Sequence, residues 1–378
     1  MAMFSLILVS HATGQNMSAL HTQGRNIVDS KGKTVRLGGV NLGGWLVPEA
    51  WMCGQTDDGK RKALEQLEAR FGSEKTAKLM NAWQDNWITA EDLDAIAGYG
   101  CNVVRVPFSY RTLQDAAGNW KRDAKKNIDF ARMDWIVKES QQRGMYVIFV
   151  LHIWPGDYNE ISKSTSDGKT ARTKMGLLWA EVARHFRGVG AIAGFDVINE
   201  PQGSPGNILQ KAFYESIRQQ DPQRMLIFES VSYPALKTER WQNIVWSAHY
   251  PENAQKSGTA RERLEVFSQN EKIPTTPVQV PVFMGEVKAP ADNAESAAEL
   301  GLALNDLGWN WCVWTYKGVD NGGWASVNYN RSIKYDLTAD SYESIMEKWT
   351  TGLSSRENLK KNSWWIEGFS KVFKNASK

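Results

Sequence analysis

The chain has 378 residues, enough for two average domains or for one large α/β barrel. Hydrophobic residues make up 42% of it and charged residues 23%, which is typical of a globular protein and excludes a disordered or fibrous one. The formal net charge is only +3 and no run of five Lys or Arg residues occurs, so nothing indicates a nucleic acid or an anionic membrane as partner.

The N-terminus contains a short apolar run at residues 4–9, followed by small and polar residues. The run is typical of a secretory signal, although the positive residues that usually precede such a run are missing. It is too short to span a bilayer. We therefore treat residues 1–21 as a signal remnant and expect a secreted or periplasmic protein, with a cytoplasmic location left open.

A turn signal at residues 29–32 separates two short β-rich runs. This pattern predicts an N-terminal β-hairpin followed by the first strand of the domain. We expect the hairpin to cover the floor of that domain.

Short apolar runs and amphipathic segments alternate along the rest of the chain. The predicted strands are residues 35–44, 102–107, 146–151, 191–198, 225–228, 244–248, 282–284 and 309–314. The predicted helices are residues 60–83 with 90–97, 130–143, 173–187, 207–219, 259–269, 294–307, 341–349 and a final packing helix at 362–373. The link after the fifth strand is less clearly helical.

Strands that are almost continuously apolar and alternate with helices are typical of a parallel sheet buried on both faces. The eight predicted units therefore indicate an α/β fold, a (β/α)8 TIM barrel. No linker or change in composition interrupts the series, so residues 22–378 are predicted to form one domain.

Polar side chains follow the predicted strands at the points where the strands end. The carboxyl ends of barrel strands meet at one rim, where the active site of such a fold lies. The rim candidates are Glu49, Arg105, His152, Asn159, Asn199, Glu200, His249, Tyr250, Glu286 and Trp314. Glu200 and Glu286 follow the fourth and seventh strands, and the barrel mouth would bring their carboxyls together. Glycoside hydrolysis needs such a pair, one carboxyl to protonate the leaving oxygen and one to attack the sugar or activate water.

These residues also have structural interpretations. Glu200 could satisfy free N–H groups at a helix N-terminus, and Glu286 could form a surface salt bridge with Lys288. Arg105 lies inside the apolar stretch VVRVP, where burial implies a carboxylate partner of structural or catalytic kind. The two rim histidines could be hydrogen-bonded core residues.

Cysteine and tryptophan usage bears on two further questions. The three cysteines are far apart, without a CxxC motif, so they indicate neither a zinc site nor a disulfide framework and allow one bridge at most. Several of the 17 tryptophans lie beside turn residues, namely Trp45, Trp51, Trp154, Trp314 and Trp324. Flat aromatic faces at loops suit stacking on sugar rings, whereas packing would account for most of the other tryptophans.

The motifs around these residues resemble glycoside hydrolase family 5, a clan A family of retaining β-glycosidases. The resemblance covers roughly residues 25–350. Within the family, the stretches GVNLGGWLVPEAWM and LHIWPGDYN are most similar to the exo-β-1,3-glucanase branch.

The resemblance implies that Glu200 is the general acid/base and Glu286 the nucleophile, with Arg105 holding Glu286 ionised and oriented. It further implies a sugar subsite around this pair. In that subsite Asn199 would bind the 2-hydroxyl, His152 and His249 would form the lining, Trp314 would be the stacking floor, and Glu49 and Asn159 would bind sugar hydroxyls. Many family members carry a Tyr two residues after the histidine of strand six, whereas Tyr250 here follows it directly.

The expected protein is a monomeric retaining hydrolase of β-glucans or β-glucosides that needs no cofactor and no metal. Its two carboxyls should lie about 5 to 5.5 Å apart. Residues 314–330 depart from the exo-glucanase pattern, so endo-β-1,4-glucanase and β-glucan transglycosylase activities stay open. Two alternatives of other classes are a barrel enzyme that binds a divalent cation through Glu200, Glu229 and another acid, and a non-catalytic carbohydrate binder.

Overall fold

The computed structural model describes residues 17–56, 63–156, 159–201, 207–229, 239–250, 258–271, 273, 279–288, 293–320 and 325–376. The predicted signal run, Trp324 and most of the link after the fifth predicted strand lie outside these residues. Across the described ranges, no helix combines the length and the apolar character that crossing a membrane requires.

The strands, in chain order, are β1 (His21–Gln23), β2 (Asn26–Val28), β3 (Gly38–Asn41), β4 (Val103–Ser109), β5 (Tyr146–Ile153), β6 (Ile192–Asp196), β7 (Met225–Glu229), β8 (Ile244–Tyr250), β9 (Val282–Lys288), β10 (Asn310–Trp314), β11 (Lys317–Val319), β12 (Val327–Tyr329) and β13 (Leu359–Lys361). Strands β3 to β10 are parallel and close into a barrel in which β10 pairs with β3. The predicted (β/α)8 barrel is confirmed, and each of its strands overlaps a predicted one.

The α-helices are α1 (Ala50–Cys53), α2 (Ala63–Trp87), α3 (Ala90–Gly98), α4 (Ala131–Gln142), α5 (Ser166–His185), α6 (Ile208–Gln220), α7 (Ala260–Asn270), α8 (Ala294–Asp306), α9 (Tyr342–Glu347) and α10 (Ser363–Ala376). Most of them follow barrel strands, as predicted, and α10 is the predicted packing helix, with Trp365 and Phe373 buried. The sequence did not predict the small sheet formed by β11, β12 and β13.

The interior of the barrel is apolar at its amino-terminal end. Side chains along a strand alternate between its two faces, so every second residue points inward. The inward apolar side chains form one cluster, which contains Leu37, Val103, Tyr146, Ile148, Ala193, Met225, Ile227, Val245, Phe283 and Cys312. Because this end of the barrel is filled, with Asn310 as a buried polar residue whose amide binds backbone groups, the charged inward side chains lie toward the opposite rim.

Strands β1 and β2 form an antiparallel hairpin at the filled end of the barrel. Leu20 and Ile27 join the interior cluster, so the hairpin covers the floor, although it turns between Gln23 and Asn26 and not at the predicted residues 29–32. The predicted turn also forms, with Gly32 N–H donating to Asp29 O at 2.9 Å. The residues after this turn pair with β2 only through the isolated bridge between Val28 and Thr34, because the chain then continues into barrel strand β3.

Cys53, Cys101 and Cys312 are all buried and all free. The bridge that the sequence allowed is therefore absent from this part of the chain. Burial raises the pKa of each thiol, and no functional role follows from them.

Candidate active site

Arg105 is the centre of the polar rim. It lies in β4 between apolar neighbours and is completely buried. Its guanidinium donates to Asp196 Oδ2 at 2.9 Å and to Glu286 Oε1 at 2.8 Å. It also donates to two side-chain amide oxygens, those of Asn41 at 3.0 Å and Asn199 at 2.8 Å. Burial by itself lowers the pKa of Arg105, but the carboxylates outweigh it and raise that pKa above its usual value. The sequence predicted a carboxylate partner for Arg105, and the structure shows two, Asp196 and Glu286.

Glu200 and Glu286 meet at the mouth of the barrel. Glu286 belongs to β9 and its side chain is 16% exposed, whereas Glu200 follows β6 and its side chain is 52% exposed. One carboxylate oxygen of Glu200 and one of Glu286 lie within 4.8 Å of each other. Retaining glycosidases space these groups about 5 to 5.5 Å apart and inverting enzymes about 6.5 to 9.5 Å. The separation fits the retaining arrangement.

The backbone turns sharply at Glu200. This residue has a φ of +45°, in the left-handed region that residues with a Cβ rarely adopt. Its N–H donates to Glu229 Oε2 at 2.7 Å, and the N–H of Asn199 donates to Leu151 O at 2.9 Å. Helix α6 begins only at Ile208, so Glu200 does not lie in the first turn of that helix. The turn instead directs Asn199 toward Arg105 and Glu200 toward the opening.

His249 lies among three carboxyl groups. Its Nδ1 is 2.8 Å from Glu200 Oε1 and 3.7 Å from Glu286 Oε2, and its Nε2 is 3.5 Å from Glu229 Oε2. Burial lowers the pKa of His249, but the three carboxylates outweigh this effect and raise the pKa to about 9. The imidazole therefore carries a positive charge at neutral pH. Its hydrogen bond in turn holds the pKa of Glu200 below the usual value.

A second wall of the site is formed by Glu49, Trp51, His152 and Trp314. Glu49 accepts a hydrogen bond from Trp51 Nε1 at 2.7 Å and lies 3.3 Å from His152 Nε2. The imidazole of His152 stacks on Trp314, with ring centroids 5.9 Å apart and an interplanar angle of 15°. Burial raises the pKa of Glu49, but the contacts with His152 and Trp51 reduce it below the usual value. This wall combines a carboxylate and an imidazole with flat aromatic faces.

The tryptophans predicted to stack on sugars divide into two groups. Trp51 is 51% exposed, and its indole Nε1 donates to Glu49 at the rim. Trp45 is completely buried and donates to Gln84 O at 2.8 Å, so it is a core residue and the prediction was wrong for it. Trp154 and Trp314 are nearly buried, and of these Trp314 borders the site through His152.

Tyr250 does not lie with the carboxyl groups. It follows His249 directly in β8, and alternation along the strand places it on the outer face when His249 points inward. Its ring packs against Phe267 of α7, with centroids 5.1 Å apart, and it is 6% exposed. The structure therefore corrects the assignment of Tyr250 to the substrate-binding residues.

Asn159 is exposed in the turn after β5, directly before the 3₁₀ helix Glu160–Ser162. Its predicted contact with a sugar hydroxyl stays a prediction.

Three rim residues were absent from the predicted binding set: Asn41, Asp196 and Glu229. All three are buried and face the interior, where Asn41 and Asp196 bind Arg105 and Glu229 contacts Glu200 and His249. Burial raises the pKa of Asp196, although Arg105 opposes the change, and burial raises the pKa of Glu229 to about 7. The signal was available in the sequence for Asn41 and Glu229, which fall on the inward period-two positions of their strands. For Asp196 a shift in the register of β5 and β6 interrupts that count.

Glu200, His249 and Glu286 have the residue types and the spacing that a metal ion requires, with one potential ligand atom of each within 4.8 Å of the others. The charges oppose this use. Two of these side chains already have protein partners, since His249 Nδ1 lies 2.8 Å from Glu200 Oε1 and Arg105 donates to one oxygen of Glu286. The positive charge that balances these carboxylates comes from the protein itself.

Comparisons with known proteins agree with this geometry. The family model of Cellulase (glycosyl hydrolase family 5) matches residues 59–320. A protein named beta-xylosidase from Phanerodontia chrysosporium is 24% identical, with 88% of this chain and 78% of that protein covered. A probable glucan 1,3-beta-glucosidase A from Emericella nidulans is 25% identical, with 66% of each chain covered.

Among solved structures, the beta-glucanase SdGluc5_26A from Saccharophagus degradans, in complex with cellotetraose, superimposes with a TM-score of 0.59 at 16% identity. The superposition covers 96% of this chain and 95% of that one. At this level of identity the likeness supports the barrel fold and leaves the substrate open.

Proposed function

We propose that this chain, which belongs to glycosyl hydrolase family 5 and is a glycosidase, cleaves β-glucosidic bonds by double displacement with net retention. The observation that carries the mechanism is the spacing of Glu200 and Glu286, whose carboxylate oxygens approach within 4.8 Å. That spacing leaves room for a sugar carbon bonded to one carboxylate and too little for a water molecule between both.

In the first step Glu286 attacks the anomeric carbon while Glu200 gives its proton to the leaving oxygen, so the C–O bond breaks as the glycosyl ester forms. In the second step Glu200 takes a proton from water, the water oxygen bonds to the anomeric carbon, and Glu286 leaves. Arg105 fixes the attacking carboxylate through its 2.8 Å hydrogen bond. Asn199, whose amide oxygen accepts from Arg105 at 2.8 Å, is the residue that we propose for the sugar 2-hydroxyl.

The substrate we propose is a β-glucan or β-glucoside, with β-1,3 linkage first. Support comes from relatives named as glucan 1,3-beta-glucosidases and from the half-exposed Trp51 beside Glu49, a stacking face next to a hydroxyl acceptor. A β-xyloside is the second candidate, because the relative named beta-xylosidase matches 88% of this chain.

Product analysis tests this proposal. The purified protein should release a product from laminarin or an aryl β-glucoside whose first-formed anomer, seen by proton NMR, is β. An α anomer would overturn the double-displacement mechanism. Glucose as sole product from laminarin would indicate a site closed at one end, and a ladder of oligosaccharides an open groove. Products longer than the substrate would indicate transglycosylation, and turnover of aryl β-xyloside alone would favour the second candidate.

The pH dependence should reveal the His249–Glu200 contact. Glu200 must be protonated to act as general acid, and His249 lowers its pKa, so kcat/KM should fall as pH rises through a low Glu200 pKa. His249→Phe removes the hydrogen bond and the charge, which should raise that pKa and shift the basic limb upward by roughly one pH unit. The measurement is the pH profile of kcat/KM on an aryl glycoside, and an unmoved basic limb would contradict the contact.

A further inference from the structure

Glu229 is a buried carboxyl group that the two-carboxylate mechanism does not use. It is the last residue of β7, is 4% exposed and points into the barrel mouth. Placing a carboxyl group there is costly unless its oxygens have partners. The position therefore requires a reason that the nucleophile and the acid/base do not supply.

The contacts of Glu229 converge on one residue, Glu200. Oε2 of Glu229 accepts the backbone N–H of Glu200 at 2.7 Å. The same oxygen is 3.5 Å from His249 Nε2, and the other nitrogen of that ring is 2.8 Å from Glu200 Oε1. Glu229 thus reaches Glu200 twice, once at the backbone and once through the imidazole.

The backbone contact matters because of the conformation of Glu200. A φ of +45° is strained for a residue with a side chain, and such strain persists only where the surroundings hold it. In the extended conformation the Glu200 carboxyl would point elsewhere. The strand that supplies Glu229 is itself fixed, since Gln210 Nε2 of α6 donates to Glu229 O at 3.0 Å.

We propose that Glu229 is the positioning residue of the acid/base: its carboxylate holds the N–H of Glu200 and thereby fixes the turn that aims the Glu200 carboxyl at the leaving oxygen. The inference deepens the proposed function and rests on it. Glu229 acts through Glu200 alone, so its effect is confined to the two proton transfers of Glu200, of which kcat/KM reports the first.

Leaving-group dependence separates this role from a structural one. The 2,4-dinitrophenolate group leaves a glycoside without being protonated, whereas the phenol of a phenyl glycoside needs a proton from the general acid to leave. Glu229→Asp keeps the charge but withdraws the oxygen by one carbon, so the hydrogen bond to Glu200 is lost. We expect it to lower kcat/KM about 30-fold or more for the phenyl glycoside and less than about threefold for the dinitrophenyl glycoside. Glu229→Gln keeps an acceptor oxygen and should show the wild-type dependence.

The control is Asp221→Asn. Asp221 is also a buried carboxylate beside β7, but it precedes that strand, at the opposite end of the barrel, where it binds Arg224. This variant should change both substrates equally. An equal loss on both substrates in Glu229→Asp, or no loss, would overturn the inference. If Glu229→Asp does not fold, Glu229→Ala decides: a selective loss for the phenyl glycoside supports the positioning role, and an equal loss on both substrates or no loss overturns it.

The wild-type protein is assayed first, with the sugar that it cleaves in both aryl glycosides. Failure to turn over any glycoside would overturn the proposed function itself. If the wild type turns over a glycoside and Glu229→Asp shows an equal loss on both substrates or no loss, only the positioning role is overturned.

Discussion

Glu286→Gln is expected to lower kcat/KM on an aryl β-glycoside on the order of 10⁵-fold while leaving the fold intact. Gln has the same shape and keeps an oxygen that can accept from Arg105, which now donates to Glu286 Oε1 at 2.8 Å. It cannot form the glycosyl ester, and removal of a covalent nucleophile has effects of this size in other hydrolases. Steady-state kinetics measure the loss, and circular dichroism with thermal unfolding measures the fold.

A chemical control distinguishes the nucleophile from the acid/base. Glu286→Ala opens a space in which azide can attack the sugar directly, which would give an α-glycosyl azide and restore turnover. Glu200→Ala with azide should instead give a β-glycosyl azide, because azide then attacks the glycosyl ester on Glu286. The opposite pairing of variant and anomer would exchange the roles that we assign to the two carboxyls.

Arg105→Lys is expected to reduce both stability and activity. Lys keeps the charge but cannot match the planar guanidinium, which binds two carboxylates and two amides from a fully buried position. Removing one partner of a buried ion pair costs about 3–5 kcal/mol of unfolding free energy, and we expect a loss toward the lower end because a charge remains. Glu286 and Asn199 both lose their anchor, so kcat/KM of the folded protein should fall roughly 10³-fold.

Arg224→Lys is the matched control. Arg224 lies just before β7, at the opposite end of the barrel. It is also buried and ion-paired, but it binds Asp221 and the backbone carbonyls of Phe186 and Val189. Denaturant unfolding should show a comparable loss of stability, while kcat/KM of the folded fraction stays unchanged. Equal losses of activity in both variants would mean that Arg105 acts through general stability alone.

Much of the site could be located from the sequence because a parallel barrel places all its strand ends at one rim. Glu200 and Glu286 follow buried strands with few other polar residues, so their meeting was a consequence of strand order. Arg105 implied a carboxylate partner for the same reason, since a buried guanidinium in an apolar strand is costly alone. Each of these inferences depended only on burial and topology.

The predictions that needed correction share a different cause. Tyr250 and Trp45 were chosen for their residue type near a strand end, and neither points into the mouth of the barrel. Conversely, counting inward positions from Met225 along β7 reaches Glu229, and the same count from Val103 along β4 reaches Arg105. Counting every second residue along the strands would have placed Glu229 in the predicted site and left Tyr250 out of it.

The sequence by itself determined the barrel, the rim and the identity of the two carboxyls, because hydrophobic periodicity and strand order are local properties written along the chain. Only the tertiary structure decided the separation of those carboxyls, the two carboxylate partners of Arg105 and the raised pKa of His249. These depend on distances of a few ångströms between residues from different strands, and on how burial and neighbouring charges combine at one point. The left-handed turn at Glu200 belongs to the same group, since its hydrogen-bond partner Glu229 comes from another strand.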